Sequence, residues 1–152
     1  QLEKVIFMEI RTITHKKFTT KTEHGTVNGF LVPLYNIHEK FFSAGKEPQQ
    51  VYLTSVLPGM IKGPHLLFIR IGYFTCIKRN VRVVLKTGNE YQVFYSGEDH
   101  EYTSIEVPTG VPAAVQCLGD QEAYMLNMPN PAWTPEMNDE QHADFSDFDF
   151  NS

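Results

Sequence analysis

The chain has 152 residues, 41% of them hydrophobic and 20% charged, which suits one soluble domain with a full core. A net charge of -5 argues against a general nucleic-acid-binding role. No apolar run approaches the ~20 residues of a membrane span, so no membrane segment is expected. Seven Tyr and eleven Phe point to β structure with aromatic-lined surfaces.

Taken in chain order, strand signals dominate. Gln1–Phe7 reads as strand rather than secretory signal, which makes the cytoplasm the expected compartment. Val5 to Ile13 alternates apolar and polar residues, as a half-buried strand does. Turn signals at Glu23–Thr26 and Asn28-Gly29 precede a second strand, Phe30 to Tyr35. Ile37 to Ala44 is the one helix-like piece, with Ile37, Phe41 and Phe42 on one face and Gly45 as its stop. Val51 to Leu57 is a strand closed by Pro58-Gly59, and His65 to Ile71 follows Gly63-Pro64.

Tyr73 to Ile77 and Val81 to Lys86 flank Lys78-Arg79-Asn80, which reads as a hairpin connection. Tyr91 to Ser96 and Tyr102 to Val107 follow, each after a turn. Ala113 to Leu118 and Ala123 to Asn127 read as a final hairpin around Gly119-Asp120. Many short strands at such spacing indicate an all-β sandwich or barrel. Residues 1–128 are expected to form it. Residues 129–152 are a Pro-containing, acidic extension of the same domain, with Phe145, Phe148 and Phe150 interleaved among Asp144, Asp147 and Asp149. That extension is either a loose terminus or a segment docked across the barrel or a partner subunit.

Cys76 and Cys117 fall inside predicted strands and read as buried small hydrophobes rather than a disulfide. No phosphate-binding, dinucleotide or nucleophile-elbow motif occurs, and no cofactor is expected. His65 is the chemically suggestive residue. An ordinary imidazole titrates near ~6.5 and accepts a proton at neutral pH. A metal site would need partners at alternate strand positions, but Leu67 stands two residues on. One histidine does not hold a catalytic metal, so no metal is expected. Lys62 and Arg70 flank the same strand and suit a diphosphate, or else ordinary solvated surface. Trp133, the one Trp, suits stacking on a base or sugar, or a plug fixing the C-terminal loop. Tyr73 and Tyr124 are acid candidates by residue type, with packing as the alternative role. Asn127, at the end of the last strand, is a candidate substrate contact.

Five segments in order resemble the dTDP-4-dehydrorhamnose 3,5-epimerase family of cupins and, more loosely, the sugar-nucleotide 3,4-ketoisomerases. They are Gly29–Tyr35, Lys62-Gly63-Pro64-His65, Cys76–Val81, Val107–Ala113 and Ala132–Glu136. The resemblance covers roughly residues 25 to 140. It implies a cupin-type antiparallel β-barrel, or jelly roll, and a homodimer with N-terminal strands crossing between subunits. It implies a nucleotide-sugar substrate, with His65 as the base, Lys62 on the diphosphate and Gln50 as a further substrate contact. The chain departs from the family pattern where Gly72 takes the place of a lysine, Ala113 of a second histidine, Trp133 of a tyrosine acid and Pro33 of a glutamate. In the family an Asp from a long C-terminal segment orients the base; that segment is not evident in this chain, and Asp144, Asp147 and Asp149 are the candidates to substitute for it.

The expected function is thus metal-independent epimerisation or keto-isomerisation of a nucleotide-linked 4-keto-6-deoxy sugar. The alternative is a cupin that binds a sugar nucleotide or another small molecule without turnover. A third reading is an interaction or structural cupin that uses its acidic, Phe-rich tail as a contact.

Overall fold

The computed structural model describes residues 8–152. Among them run β1 (Thr12–Thr14), β2 (Phe18–Lys21), β3 (Val27–Leu31), β4 (Tyr52–Val56), β5 (Ile61–Leu67), β6 (Gly72–Lys78), β7 (Asn80–Thr87), β8 (Glu90–Gly97), β9 (Thr103–Val107), β10 (Ala113–Leu118), β11 (Ala123–Asn127) and β12 (Glu140–His142). One sheet has the order β1-β9-β6-β11-β4 and faces a second of order β12-β5-β10-β7-β8. Hairpin β2-β3 stands apart from both. The pairings within the sheets are antiparallel. No helix among the described residues is long and apolar enough to cross a membrane.

The core lies between the sheets, where Val56, Cys76, Val83, Leu85, Ile105, Val115 and Met125 meet. Burying each large aliphatic side chain contributes about 1.5–3 kcal/mol. Strand parity explains the selection. Val81, Val83 and Leu85 of β7 point into this core, so Arg82 and Val84 point the other way. Yet both are buried, because the C-terminal segment covers that outer face. Phe145 packs on Val84 and Ala114, with Phe148 and Phe150 beside it. Arg82 donates to the carbonyls of Phe150 (2.8 Å) and Ser152 (3.1 Å) and to Gln116 Oε1. The Phe-rich tail is therefore docked on its own sheet.

Three expectations are corrected. Ile37–Ala44 is a run of turns, not a helix. Adjacent Phe41 and Phe42 are both buried while Ile37 is 71% exposed, which one helical face cannot achieve. An Asx turn, with His38 N–H donating to Asn36 Oδ1 at 2.9 Å, competes with helical bonding. The Lys78–Asn80 connection is not a hairpin, since β6 pairs with β9 and β11 while β7 pairs with β8 and β10. Arg79, at φ 59°, carries the chain from one sheet to the other. The Gly119-Asp120 turn does the same between β10 and β11, which lie in different sheets.

Of the expected first strand, Val5 to Ile13, Thr12 and Ile13 lie in β1, Met8–Arg11 are not strand, and Val5–Phe7 lies outside the described residues, as does the reading of Gln1–Phe7. Strand β3 ends at Leu31, short of the expected Tyr35. Strand β5 starts earlier than expected and runs through Gly63-Pro64. Cys76 and Cys117 are free and buried, as expected.

Candidate active site

Residues three apart in a regular strand face opposite sides. Lys62 and His65 nevertheless line one cavity. The reason is a bulge in β5: His65 pairs with Ala113 and Lys62 with Val115, so a three-residue step in β5 answers a two-residue step in β10. Gly63 makes the bulge possible at φ 89°, and a Cβ there would stand 2.8 Å from the Ala113 carbonyl oxygen.

The cavity has a volume of about 250 Å³ and opens between the two sheets. Val56, Phe74, Val107, Val111, Val115 and Met125 give it an apolar wall. Tyr52, Thr54, Lys62, His65, Arg70, Asn127 and Glu140 supply its polar groups. Leu67 and Ala113, which occupy positions that would carry further ligands in a metal-binding barrel of this type, also line it.

Strand β12 brings the carboxylate. It zips onto β5 with Glu140 opposite Leu67 and His142 opposite His65. Glu140 Oε1 lies 3.0 Å from His65 Nδ1. A proton held on Nδ1 by this carboxylate leaves Nε2 as the basic nitrogen. Glu140, rather than Asp144, Asp147 or Asp149, is therefore the acidic partner. Asp147 accepts from the Tyr91 hydroxyl, while Asp144 and Asp149 accept from nearby backbone N–H groups. The imidazole of His142 sits 5.2 Å from that of His65, centroid to centroid.

One residue earlier, Asp139 forms a buried ion pair with Arg70, whose Nε donates to Asp139 Oδ2 at 2.6 Å. The Ile69 and Arg70 N–H groups also donate to this carboxylate. Burial alone pushes the Asp139 carboxyl up, but these donors and the guanidinium charge hold it below the usual carboxylate range.

Across the cavity, Tyr52 on β4 faces β5. Asn127, 2% exposed, accepts the Tyr73 N–H at 3.1 Å through Oδ1 and donates to the Tyr52 hydroxyl oxygen at 2.7 Å through Nδ2. With its oxygen already accepting, the Tyr52 O–H is free to donate into the cavity. Lys62 Nζ reaches across the sheets to donate to Thr54 Oγ1 at 2.6 Å.

The structure thus brings together His65, Lys62, Arg70 and Asn127. It separates the other candidates from them. Tyr73 is fully buried in a second cluster with Phe41, Phe42 and Met128. Its hydroxyl donates to the Lys46 carbonyl at 2.8 Å, and burial, reinforced by Glu106, holds it well above the usual phenol range. Tyr124 alternates with cavity-lining Met125 and lies 38% exposed on the outer face of β11. Gln50 Oε1 accepts the Trp133 N–H at 2.9 Å, and Trp133 is 49% exposed. Neither lines the cavity. Tyr52, Thr54 and Glu140 were not expected from sequence. Strand parity in Val51–Leu57 groups Tyr52, Thr54 and Val56 on one face; no local signal marks Glu140.

At the level of sequence, no protein-family model matches the chain and no curated protein is similar to it. The fold, however, is that of solved sugar-nucleotide enzymes. A dTDP sugar isomerase from Desulfovibrio desulfuricans superposes with a TM-score of 0.73 at 16% identity, over 89% of this chain and 83% of that one. NovW, a 4-keto-6-deoxy sugar epimerase from Streptomyces spheroides, gives 0.67 at 15% identity, over 93% and 76%. A variant of the 3,4-ketoisomerase QdtA from Thermoanaerobacterium thermosaccharolyticum, solved with TDP-4-keto-6-deoxyglucose, gives 0.66 at 14% identity, over 90% and 88%. The cupin-type antiparallel β-barrel expected from sequence is therefore the fold of this chain.

Proposed function

We propose that the chain is a metal-independent epimerase or keto-isomerase acting on a nucleotide-linked 4-keto-6-deoxy sugar. The observation that carries this reading is the His65–Glu140 pair inside a barrel cavity, with the Tyr52 hydroxyl facing it from the opposite sheet. The superposed isomerase, epimerase and ketoisomerase support the same reaction class.

The chemistry follows from the geometry. His65 Nε2 takes a proton from the carbon beside the ketone. The C–H electron pair becomes the carbon–carbon double bond, and the carbonyl π pair moves to oxygen as an enolate. Glu140 holds the ring in the basic tautomer and stabilises the imidazolium that forms. Tyr52 returns a proton from the other face, which inverts the carbon. Asn127 acts as the positioning residue for Tyr52. The cavity, at about 250 Å³, falls below the ~300–1,000 Å³ of sites that enclose drug-sized ligands. It holds a sugar ring and leaves the nucleotide at the mouth, where the exposed Lys62 meets the diphosphate. The apolar wall suits a deoxy methyl group.

A homodimer fits this reading. Hairpin β2-β3 exposes Phe18, Val27, Phe30 and Leu31, and edge strand β4 exposes Leu53 beside Val51. A second copy covering these surfaces would remove both the apolar patch and the open sheet edge. Light scattering on the eluting protein should give twice the chain mass, and a single chain mass would end the dimer proposal.

The test of function is incubation with TDP-4-keto-6-deoxyglucose in deuterated water, followed by NMR. Deuterium entering at the carbons flanking the ketone is the expected result. Measurable binding of several such sugars with no deuterium entry would instead establish a binder without turnover.

A further inference from the structure

Enolate formation needs a group that stabilises the developing oxygen charge. We propose that Arg70 is that group, with Asp139 as its positioning residue; the inference rests on the epimerase or keto-isomerase reading above. Two cations line the cavity, Lys62 and Arg70. Lys62 is exposed, and its ammonium is engaged with Thr54. Arg70 is 8% exposed, and a cation acts most strongly where water is excluded.

The guanidinium is used at one end only. Its Nε donates to Asp139 Oδ2 at 2.6 Å. Among the described residues, Nη1 and Nη2 have no hydrogen-bond partner, and no buried side-chain nitrogen or oxygen lacks one. The two Nη atoms therefore reach open space, and the space Arg70 lines is the cavity. A fixed fork with free donors is suited to an anionic oxygen.

Asp139 serves two purposes. It balances the buried charge while the site is empty, and it fixes the plane of the fork. Because arginine does not give up its proton, the oxygen remains an enolate until carbon is reprotonated. The proton removed rests on His65, and the electron pair rests on the oxygen held by the Nη donors.

The experiment compares wild type, Arg70→Lys and the charge-neutral pair Arg70→Met with Asp139→Asn. Three quantities are read: deuterium entry into TDP-4-keto-6-deoxyglucose at saturation, calorimetric affinity for TDP alone, and thermal unfolding. Removal of one oxyanion donor costs about 10²–10³ in rate, and that loss is expected of the neutral pair, with TDP affinity within about threefold of wild type. Arg70→Lys keeps the ion pair and should retain part of the rate, which also serves if the double variant does not fold. Deuterium entry within about threefold of wild type in both variants overturns the proposal. So does a loss of TDP affinity with an unchanged saturated rate, which would make Arg70 a diphosphate ligand. Failure of wild type itself to exchange overturns the underlying functional reading, a distinguishable result.

Discussion

The Glu140 carboxylate stands 3.0 Å from His65 Nδ1 because β12 lies antiparallel on β5 with His142 opposite His65. The two side chains are 52% and 40% exposed, so the pair contributes little to stability. Its effect is on orientation and tautomer. Glu140→Gln keeps a hydrogen-bond acceptor but loses the charge that stabilises an imidazolium. We predict a fall of about 10²-fold in deuterium entry, the lower end of acid–base contributions, and unchanged TDP affinity. An unaltered rate at saturation would remove Glu140 from the mechanism.

Tyr52→Phe separates the two halves of the reaction. Proton removal by His65 should persist, so deuterium still enters at the carbon attacked. Inversion should fall by about 10²-fold or more, because the opposite face has lost its donor. NMR of the product sugar reads both at once. Loss of exchange and inversion in equal measure would contradict the assignment of Tyr52 as the returning acid.

Gly63→Ala tests the bulge. An alanine Cβ would meet the Ala113 carbonyl oxygen at 2.8 Å at a φ of 89°. Strain of this kind costs about 1–3 kcal/mol, and the backbone shift that relieves it turns Lys62 and His65 away from their common face. We expect a lower unfolding midpoint together with lost exchange. A variant as stable and active as wild type would show that the bulge is dispensable.

Stability should respond to pH in two windows. Burial lowers the His15 pKa from 6.5 despite the attraction of Glu39, consistent with Nε2 held 2.6 Å from Ser104 Oγ. The unfolded chain then binds this proton more readily, so stability present above pH 6.5 declines as pH falls below it. Asp139 is likewise lowered from 3.8, so its contribution is present above that pH and is lost as pH falls through the folded value. Thermal unfolding scans across this range should show both declines, and Asp139→Asn should weaken the more acidic one, to which Asp144, also held below 3.8 by Ser146, contributes as well. A midpoint independent of pH below 6.5 would contradict the first assignment.

Phe145 holds the tail. It is 5% exposed against Val84 and Ala114. Truncating a buried Phe costs about 3–5 kcal/mol in a closed core, although a terminal segment sheds part of that by detaching locally. Phe145→Ala should therefore speed hydrogen exchange in residues 139–150 more than in β7 or β10. It should also reduce activity, because Glu140 travels with that segment. Equal protection in the two proteins would show that the tail is held by other contacts.

How far the sequence reaches is clear from particular residues. The short runs Val81–Lys86 and Tyr102–Val107, bounded by turn residues, read as strands, but that both faces of each are buried depends on what the rest of the chain lays over them. Turn residues at Lys78–Asn80 and Gly119-Asp120 mark a reversal, but such residues serve a hairpin and an arc between sheets equally. Which one forms depends on pairings with distant strands. Phe41 and Phe42 mimic a helical face, yet tertiary contacts bury both at adjacent positions. Tyr52 was legible through strand parity with Thr54 and Val56. Glu140 was not, because its proximity to His65 arises wholly from long-range pairing of β12 with β5. Arg70 was visible as a cation, but its partner Asp139 looked like one charge in an acidic run.

The measurement that bears most directly on the central claim is deuterium entry into TDP-4-keto-6-deoxyglucose by wild type and by His65→Asn, with TDP affinity recorded for both. Removal of a general base costs about 10²–10⁴ in rate. A loss of that order is expected in His65→Asn, with TDP bound as tightly as before. Equal deuterium entry in the two proteins would contradict it.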